Sequence, residues 1–396
     1  MSSIRFSDEL NAELVDFSRG FVEHVLGKCD PSRLIHAKID LSDWTRPTHI
    51  IAFGKASVAM SNAIAELLAD RLAGGVVLAP ESTIPEVGLP HFRYFGVDHP
   101  IPTQRNVDAA LHVAEYARSI PSDHDCVVCV SGGGSAHLCL PKEGVTLCEI
   151  VEQTDRLNTS GSAIHELNMY RRSAEQLKSG GLARLLNHVH HCETVVLSDV
   201  LGNDLETIAS GPLYDREQLI EHRIIGDHTT ALSAAAEYLK CVDGRDPITT
   251  PMASGSSSDL GRALARAFRN DPDQLAQVIA GETTVQADAE SGVGGPTLEL
   301  VLSSAVELSQ SPSLVNEWVV IGFATDGVDG PSQAAGAVVH PEMLTYRSTL
   351  TSALDALENH DTLPFLDSIG ATFRTGPTGT NLNDVCAVCR FPPVGT

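Results

Sequence analysis

Short apolar runs along this chain repeatedly break off into glycine and small polar residues, and that punctuation constrains the fold more than any other feature. HIIAF (49–53) runs into Gly54-Lys55, and CVVCV (126–130) into Ser131-Gly132-Gly133-Gly134-Ser135. TVVLS (194–198) runs into Asp199, then Gly202-Asn203-Asp204 and Ser210-Gly211-Pro212. QVIA (277–280) runs into Gly281-Glu282-Thr283-Thr284, and VVIGFA (319–324) into Thr325-Asp326-Gly327 and Asp329-Gly330-Pro331. A sixth loop, Thr375-Gly376-Pro377-Thr378-Gly379-Thr380-Asn381, lies near the C-terminus. Continuous apolar runs of this length read as strands buried on both faces.

Segments of helical period separate the runs. Leu10, Leu14, Phe17, Phe21 and Val25 form one stripe over residues 7–26, and Ala56, Ala59, Met60, Ala63, Ile64, Leu67 and Leu68 mark a second helix. Helices are also expected over 105–119, 147–158, 162–177, 181–187, 259–269, 298–309 and 346–358, with further strands at 75–79 and 386–390. Strand and helix in alternation predict an α/β protein. In open α/β sheets ligands bind outside the carboxyl ends of the strands, so six polar loops there would form one rim if they converge. The turn-rich stretch VDGRDPITTPMASGSSS (242–258) is the expected boundary. It divides the chain into a first domain over 1–241, a boundary region over 242–276 and a second domain over 277–396.

Charge narrows the partners. Twenty-seven Lys and Arg against 51 Asp and Glu give a net charge of −24, which disfavours nucleic acid and anionic membrane surfaces. No apolar stretch approaches a membrane span. The acidic N-terminal segment lacks the basic start and apolar block of a signal peptide, so a cytoplasmic location is expected. The pairs Cys126/Cys129 and Cys386/Cys389 sit in strand-like runs, where residues three apart face opposite ways. Buried structural thiols are therefore expected rather than a metal or redox pair.

Each loop has a structural and a functional reading. SGGGS serves either as a tight strand-to-helix turn or as a cradle of N–H groups for phosphate. Lys55, one of only six lysines, is either a surface residue or a cation at the rim. Asp199, Asp204, Asp326 and Asp329 either cap helices or hold a divalent cation, and magnesium needs only a carboxylate or two plus substrate phosphates and water. The hydroxyls and amide of the last loop can close a turn or bind an anion. Walker A, H-E-x-x-H and G-x-S-x-G patterns are absent, and no G-x-G-x-x-G follows a strand, which leaves a nicotinamide site unsupported.

In order, the motifs resemble those of the class II glycerate 2-kinase family, glycerate kinases with a C-terminal MOFRL-type domain. They are G-K-A with Met60 (from Gly54), His99-Pro100 with Pro102, SGGGSA (131–136) and SGxxIxELN (160–168). SDVxGNDLxxIASGP (198–212), AGETTV (280–285), TDGVDGP with AAGA (325–337) and TGPTGTN-x-ND (375–384) complete the set, which spans roughly 50–385. The resemblance implies a large Rossmann-like N-terminal domain, a smaller α/β C-terminal domain and an active site in the cleft between them. It implies magnesium-dependent transfer of the γ-phosphoryl group of ATP to the C2 hydroxyl of D-glycerate, giving 2-phosphoglycerate.

By the same resemblance, Lys55, Asp199 and Arg171 are the catalytic candidates. Ser131, Gly132, Gly133, Gly134, Ser135, Glu166, Asn168 and Lys178 are candidates for substrate or phosphate. Glu282, Thr283, Thr378, Gly379, Thr380 and Asn381 are candidates for nucleotide, and Asp204, Asp326 and Asp329 for metal. Whether the chain forms a homodimer is left open. Two segments depart from the family pattern. Its GGRNxE reads Gly294-Gly295-Pro296-Thr297-Leu298-Glu299, with proline for arginine, and the stretch between Arg171 and Lys178 has diverged. The alternatives are a kinase for a related short sugar acid, or a catalytically weakened ligand-binding relative. A nicotinamide-dependent hydroxypyruvate reductase is a third reading.

Overall fold

A computed structural model describes residues 4–7, 10–159, 164–215, 220–244, 246–271, 275–286, 291–310 and 317–391. The described chain divides into two compact units. One holds Asp30–Asp227 together with Gly379–Asn381, and the other holds Met1–Cys29, His228–Thr378 and Leu382–Thr396. Strand β1 (Arg5–Phe6) belongs to the second of these.

The Asp30–Asp227 unit is built on a six-stranded, wholly parallel sheet. Its strands are β2 (Thr48–Phe53), β3 (Leu72–Pro80), β4 (Phe92–Val97), β5 (Asp125–Ser131), β6 (His191–Leu197) and β7 (Glu221–Gly226). Their spatial order is β4-β3-β2-β5-β6-β7. This is the Rossmann order, in which the chain runs outward one way and then restarts beside its first strand. The restart lies between β2 and β5, paired from Thr48↔Asp125 to Phe53↔Val130. Helices cover the sheet, so the central strands are apolar between their ends, and all seven residues of β5 are buried. Cys126 and Cys129 lie within it as buried thiols outside any disulfide, as do Cys386 and Cys389 in the other unit.

The other unit has a seven-stranded mixed sheet. It adds β8 (Ile248–Ser256), β9 (Ala276–Thr284), β10 (Val319–Ala324), β11 (Gly336–Val339), β12 (Thr372–Arg374) and β13 (Asp384–Cys389). The order is β1-β12-β11-β10-β13-β9-β8, antiparallel except for the β8–β9 edge. Helix Pro296–Ser309 packs on it through Leu298, Val301, Leu302 and Ala305, all buried.

The compact units do not follow the bounds 1–241 and 277–396, for helices Ala12–Lys28 and His228–Asp243 fall with the C-terminal sheet. Helix Ala12–Lys28, started by Asn11, whose side chain accepts from Glu13 N at 2.9 Å, presents Phe17 and Phe21. Their rings lie 5.9 and 5.7 Å from Tyr238 on helix His228–Asp243, and Phe17 is 5.1 Å from Phe391. Burying each such ring contributes roughly 1.5–3 kcal/mol, enough to group both helices with the C-terminal sheet. Strand β8 lies within 242–258, the expected boundary. Eight of its nine residues are at least partly open to solvent, so it carries no apolar run, and an edge position tolerates Pro251. Residues 160–163, which begin the SGxxIxELN motif, lie outside the described residues, and the helix expected over 162–177 is described as Ile164–Ala174. No described helix is long and apolar enough to cross a membrane.

Candidate active site

The loops after β2 and β5 emerge side by side at the sheet's switch point and are bonded to each other. Lys55 N donates to Gly132 O at 2.8 Å, and Ala56 N to the Ser131 hydroxyl at 3.0 Å. Gly54 N donates to His137 Nδ1 at 3.1 Å. Gly54 has φ +114°, and a Cβ there would stand 2.3 Å from Ser131 Oγ, so only glycine allows the two loops to meet. The stem of Lys55 runs beside Gly133, its Cγ 3.4 Å from where a Cβ on that glycine would be. Sequence spacing placed Lys55 and SGGGS near the same rim, and the fold joins them.

His137 was not singled out from sequence, though it directly follows SGGGSA. It is fully buried, and burial, with a smaller effect from His99, pushes its pKa down to about 3. A neutral ring that accepts at Nδ1 carries its proton on Nε2. His99, quoted above only as part of a motif, stacks edge-on against it at 5.9 Å.

Asp199 follows β6 and is half-exposed. Its Oδ2 accepts from Asn381 Nδ2 at 3.0 Å, within the same unit. Gly132 faces this pair, since a Cβ on it would lie 2.1 Å from Asn381 Nδ2 and 2.2 Å from Asp199 Oδ2. Lys55, the SGGGS loop, Asp199 and Asn381 thus form one cluster. Asp204 is exposed and bonds its own turn, accepting from the Thr207 hydroxyl at 2.6 Å and from Glu206 N at 3.2 Å.

The candidates on and after helix Ile164–Ala174 divide. Glu166 is exposed. Asn168 is buried, and its Oδ1 accepts from the Ser210 hydroxyl at 3.0 Å, which in turn meets Ser135 Oγ at 3.0 Å. Ser210, given above only as part of a loop, therefore links two expected residues. The Arg171 guanidinium is largely buried, which lowers its pKa, with Glu175 opposing. Lys178, expected at the phosphate, instead lies beneath the loop, 1% exposed, with its ammonium on backbone carbonyls.

Gly379 and Thr380 belong with Asn381 to this unit, and the other unit carries Glu282, Thr283, Asp326, Asp329 and Thr378. Glu282 is exposed near the end of β9, while Thr283 is buried and its hydroxyl accepts from Ser257 Oγ at 2.9 Å. Thr378 N donates to Asp326 O at 3.2 Å, and the Asp326 carboxylate accepts from Val328 N at 3.0 Å. Asp329, expected as a metal ligand, has another task. Its two oxygens accept from Thr297 N at 3.0 Å and Leu298 N at 2.8 Å, capping the helix that begins at Pro296. Proline suits this first helical position, where the missing N–H is not needed. Burial raises the Asp329 pKa to about 6 despite those two bonds, with Asp326 adding to the rise, and Asp384 is raised by burial and by Asp329.

Among the described residues, no group of three or more His, Cys, Asp or Glu side chains converges to cage an ion. Asp199, with an oxygen held beside Gly132, offers a hard carboxylate donor. Such a donor fits a magnesium ion that keeps water and phosphate oxygens in its shell.

Comparison with known proteins identifies the family. Residues 18–240 match the family described as "Domain of unknown function (DUF4147)", and residues 275–384 match the MOFRL family. The chain is 28% identical over 390 residues to the glycerate 2-kinase of Pyrococcus horikoshii, covering 85% of this chain and 86% of that protein. It is 30% identical over 385 residues to a putative hydroxypyruvate reductase of Agrobacterium vitis, covering 86% and 98%. The crystal structure of glycerate kinase from Thermotoga maritima superposes with a TM-score of 0.82 at 26% identity, covering 96% of this chain and 100% of that one. With both family segments present in order and the relatives aligned over most of its length, the chain belongs to the glycerate kinase family that carries a C-terminal MOFRL domain.

Proposed function

We propose that the chain is an ATP-dependent, magnesium-requiring kinase that phosphorylates D-glycerate at its C2 hydroxyl, giving 2-phosphoglycerate. The observation that carries this reading is the cluster at the switch point, where Lys55, the SGGGS loop and Asp199 with Asn381 meet. Phosphoryl transfer asks mainly for positioning and charge stabilisation, and the cluster has the parts for both. The Lys55 ammonium offsets charge on the transferred group or the acid. The hydroxyl oxygen forms the new P–O bond as the bond from the γ-phosphorus to the bridging oxygen breaks. ADP leaves, and the hydroxyl proton passes to a carboxylate, for which Asp199 is the candidate. The Asn381 amide orients that carboxylate, and Arg171 can fork the acid's own carboxylate.

Bound magnesium would supply the positive charge that shields the phosphates, and Asp199 or Asp204, in the unit that carries the cluster, would hold it. Glu282, Thr283, Thr378, Gly379, Thr380 and Asn381 remain the nucleotide candidates. Nine cysteines outside any disulfide suit a reducing compartment, and with the acid excess they support a cytoplasmic enzyme of small molecules.

The test is coupled ADP release with magnesium-ATP and D-glycerate, followed by phosphorus NMR of the product. ADP formation with phosphate on C2 is expected. No turnover across short hydroxy acids, or phosphate on C3, removes the proposal. Oxidation of NADH or NADPH with hydroxypyruvate in its place would make the chain a reductase.

A further inference from the structure

The reaction as proposed makes no use of the Lys178 charge, yet the fold buries it completely. The Lys178 side chain is 0% exposed, and its ammonium donates to Ser135 O at 2.9 Å and Ala209 O at 3.2 Å. Glu175 Oε2 stands 4.0 Å from the same nitrogen, with Arg171 and the Cys139 thiol nearby. Removing an ammonium from water is unfavourable, and apolar side chains of similar volume often replace buried charges without loss. Stability alone does not call for lysine here.

Among the described residues, no backbone N–H outside the helices donates to either of these carbonyls. Ser135 lies in a helix of four residues, Gly134–His137, whose last carbonyls lack intrahelical partners. Ala209 opens a run of three left-handed residues, with φ of 50°, 64° and 67° at Ala209, Ser210 and Gly211. Two of the three carry side chains, a conformation that persists only where its surroundings over-determine it. Here they do. Ser179 N and Gly180 N donate to the carbonyls of Ser210 and Gly211, and Asn168 accepts from the Ser210 hydroxyl. The loop and the turn are in direct contact, since a Cβ on Gly134 would lie 3.0 Å from the Ala209 Cβ.

We propose that Lys178 is a positioning residue: its ammonium ties the glycine-rich loop to the left-handed turn and so sets where that loop stands against Lys55 and Asp199. Its catalytic consequence rests on the kinase reading above, whereas its mechanical consequence does not.

The experiment compares the full-length wild type with Lys178→Met by amide hydrogen exchange and by steady-state kinetics with magnesium-ATP and D-glycerate. Exchange in 131–137 and 207–213 is expected to quicken by about tenfold or more, with the central strands unchanged. KM for D-glycerate is expected to rise by about tenfold or more in the folded fraction. A variant that is only less stable shows a lower Tm and less active protein at an unchanged KM. Unchanged loop exchange overturns the proposal, and so does quickened exchange with an unaltered KM. Should Lys178→Met not fold, Lys178→Gln, which keeps one donor, is read by the same criteria. A wild type without turnover defeats the kinase reading instead, and loop exchange alone then decides for or against Lys178.

Discussion

Asn381 Nδ2 donates to Asp199 Oδ2 at 3.0 Å, and the glycine facing the pair leaves no room for a methyl group. Gly132 is outside the left-handed region, so alanine there meets a steric obstacle and not a conformational one. Gly132→Ala should therefore force Asp199 and Asn381 aside while leaving the sheet intact. A displacement of this size is expected to lower kcat by about 100-fold, with a Tm close to that of the wild type. Calorimetry beside the kinase assay checks both, and an alanine variant of full activity would refute the placement of the pair.

Asp199 and Asn381 should separate in their kinetics. Asp199→Asn removes the candidate proton acceptor and is expected to cost about 10²–10⁴ in kcat. Asn381→Ala leaves the carboxylate but frees its orientation, so a smaller loss, of about tenfold, is expected. Steady-state rates of the two single variants decide. Equal losses would mean that Asp199 acts only through its bond to Asn381.

Lys55→Ala is expected to lower kcat by about 10²–10³, the usual cost of removing one donor aimed at developing charge. Lys55→Arg should recover little, because a planar fork does not replace a compact ammonium beside Gly133. The readout is kcat at saturating ATP and acid, and substantial recovery by arginine would point to a generic cation.

Two buried groups pull stability in opposite directions with pH. Asp329, raised to about 6 from 3.8, binds its proton more tightly folded than unfolded, so its contribution falls as pH rises through that window. His137, lowered to about 3 from 6.5, is protonated more readily unfolded, so its contribution falls as pH drops below 6.5. Asp329→Asn should thus gain on the wild type between pH 4 and 6 by up to about 3 kcal/mol, net of its weakened helix cap. Urea melts across that range test this, and a pH-independent difference would contradict it.

How much of this could be read from the sequence depended on whether a residue's role was local. Gly54, Lys55 and the SGGGS loop were legible because a buried strand must end in a turn, and apolar runs of buried strands are conspicuous. The α/β class and the order of most elements followed from the same runs. Strand β8 escaped because an exposed edge needs no apolar pattern, and helix Ala12–Lys28 was found without its unit because Tyr238 and Phe391 are far along the chain. The tasks of Asp329 and Lys178 were invisible for a related reason. Each serves backbone groups 31 to 43 residues away, and no motif spacing encodes that.

The packing of Phe17 and Phe21 has a consequence for biosynthesis. The parallel sheet, β2 to β7, is complete in one continuous stretch ending at Gly226, and it can close while the ribosome is still at work. Helix Ala12–Lys28 precedes that sheet, yet Phe391 and Phe323, against which it packs, are translated more than 290 residues later. At about 5–20 residues per second the interval is tens of seconds. For part of that time Tyr238 is available to the aromatic stripe of this helix, but Phe323 and Phe391 are not. The helix therefore completes its packing only after the C-terminal strands have been made.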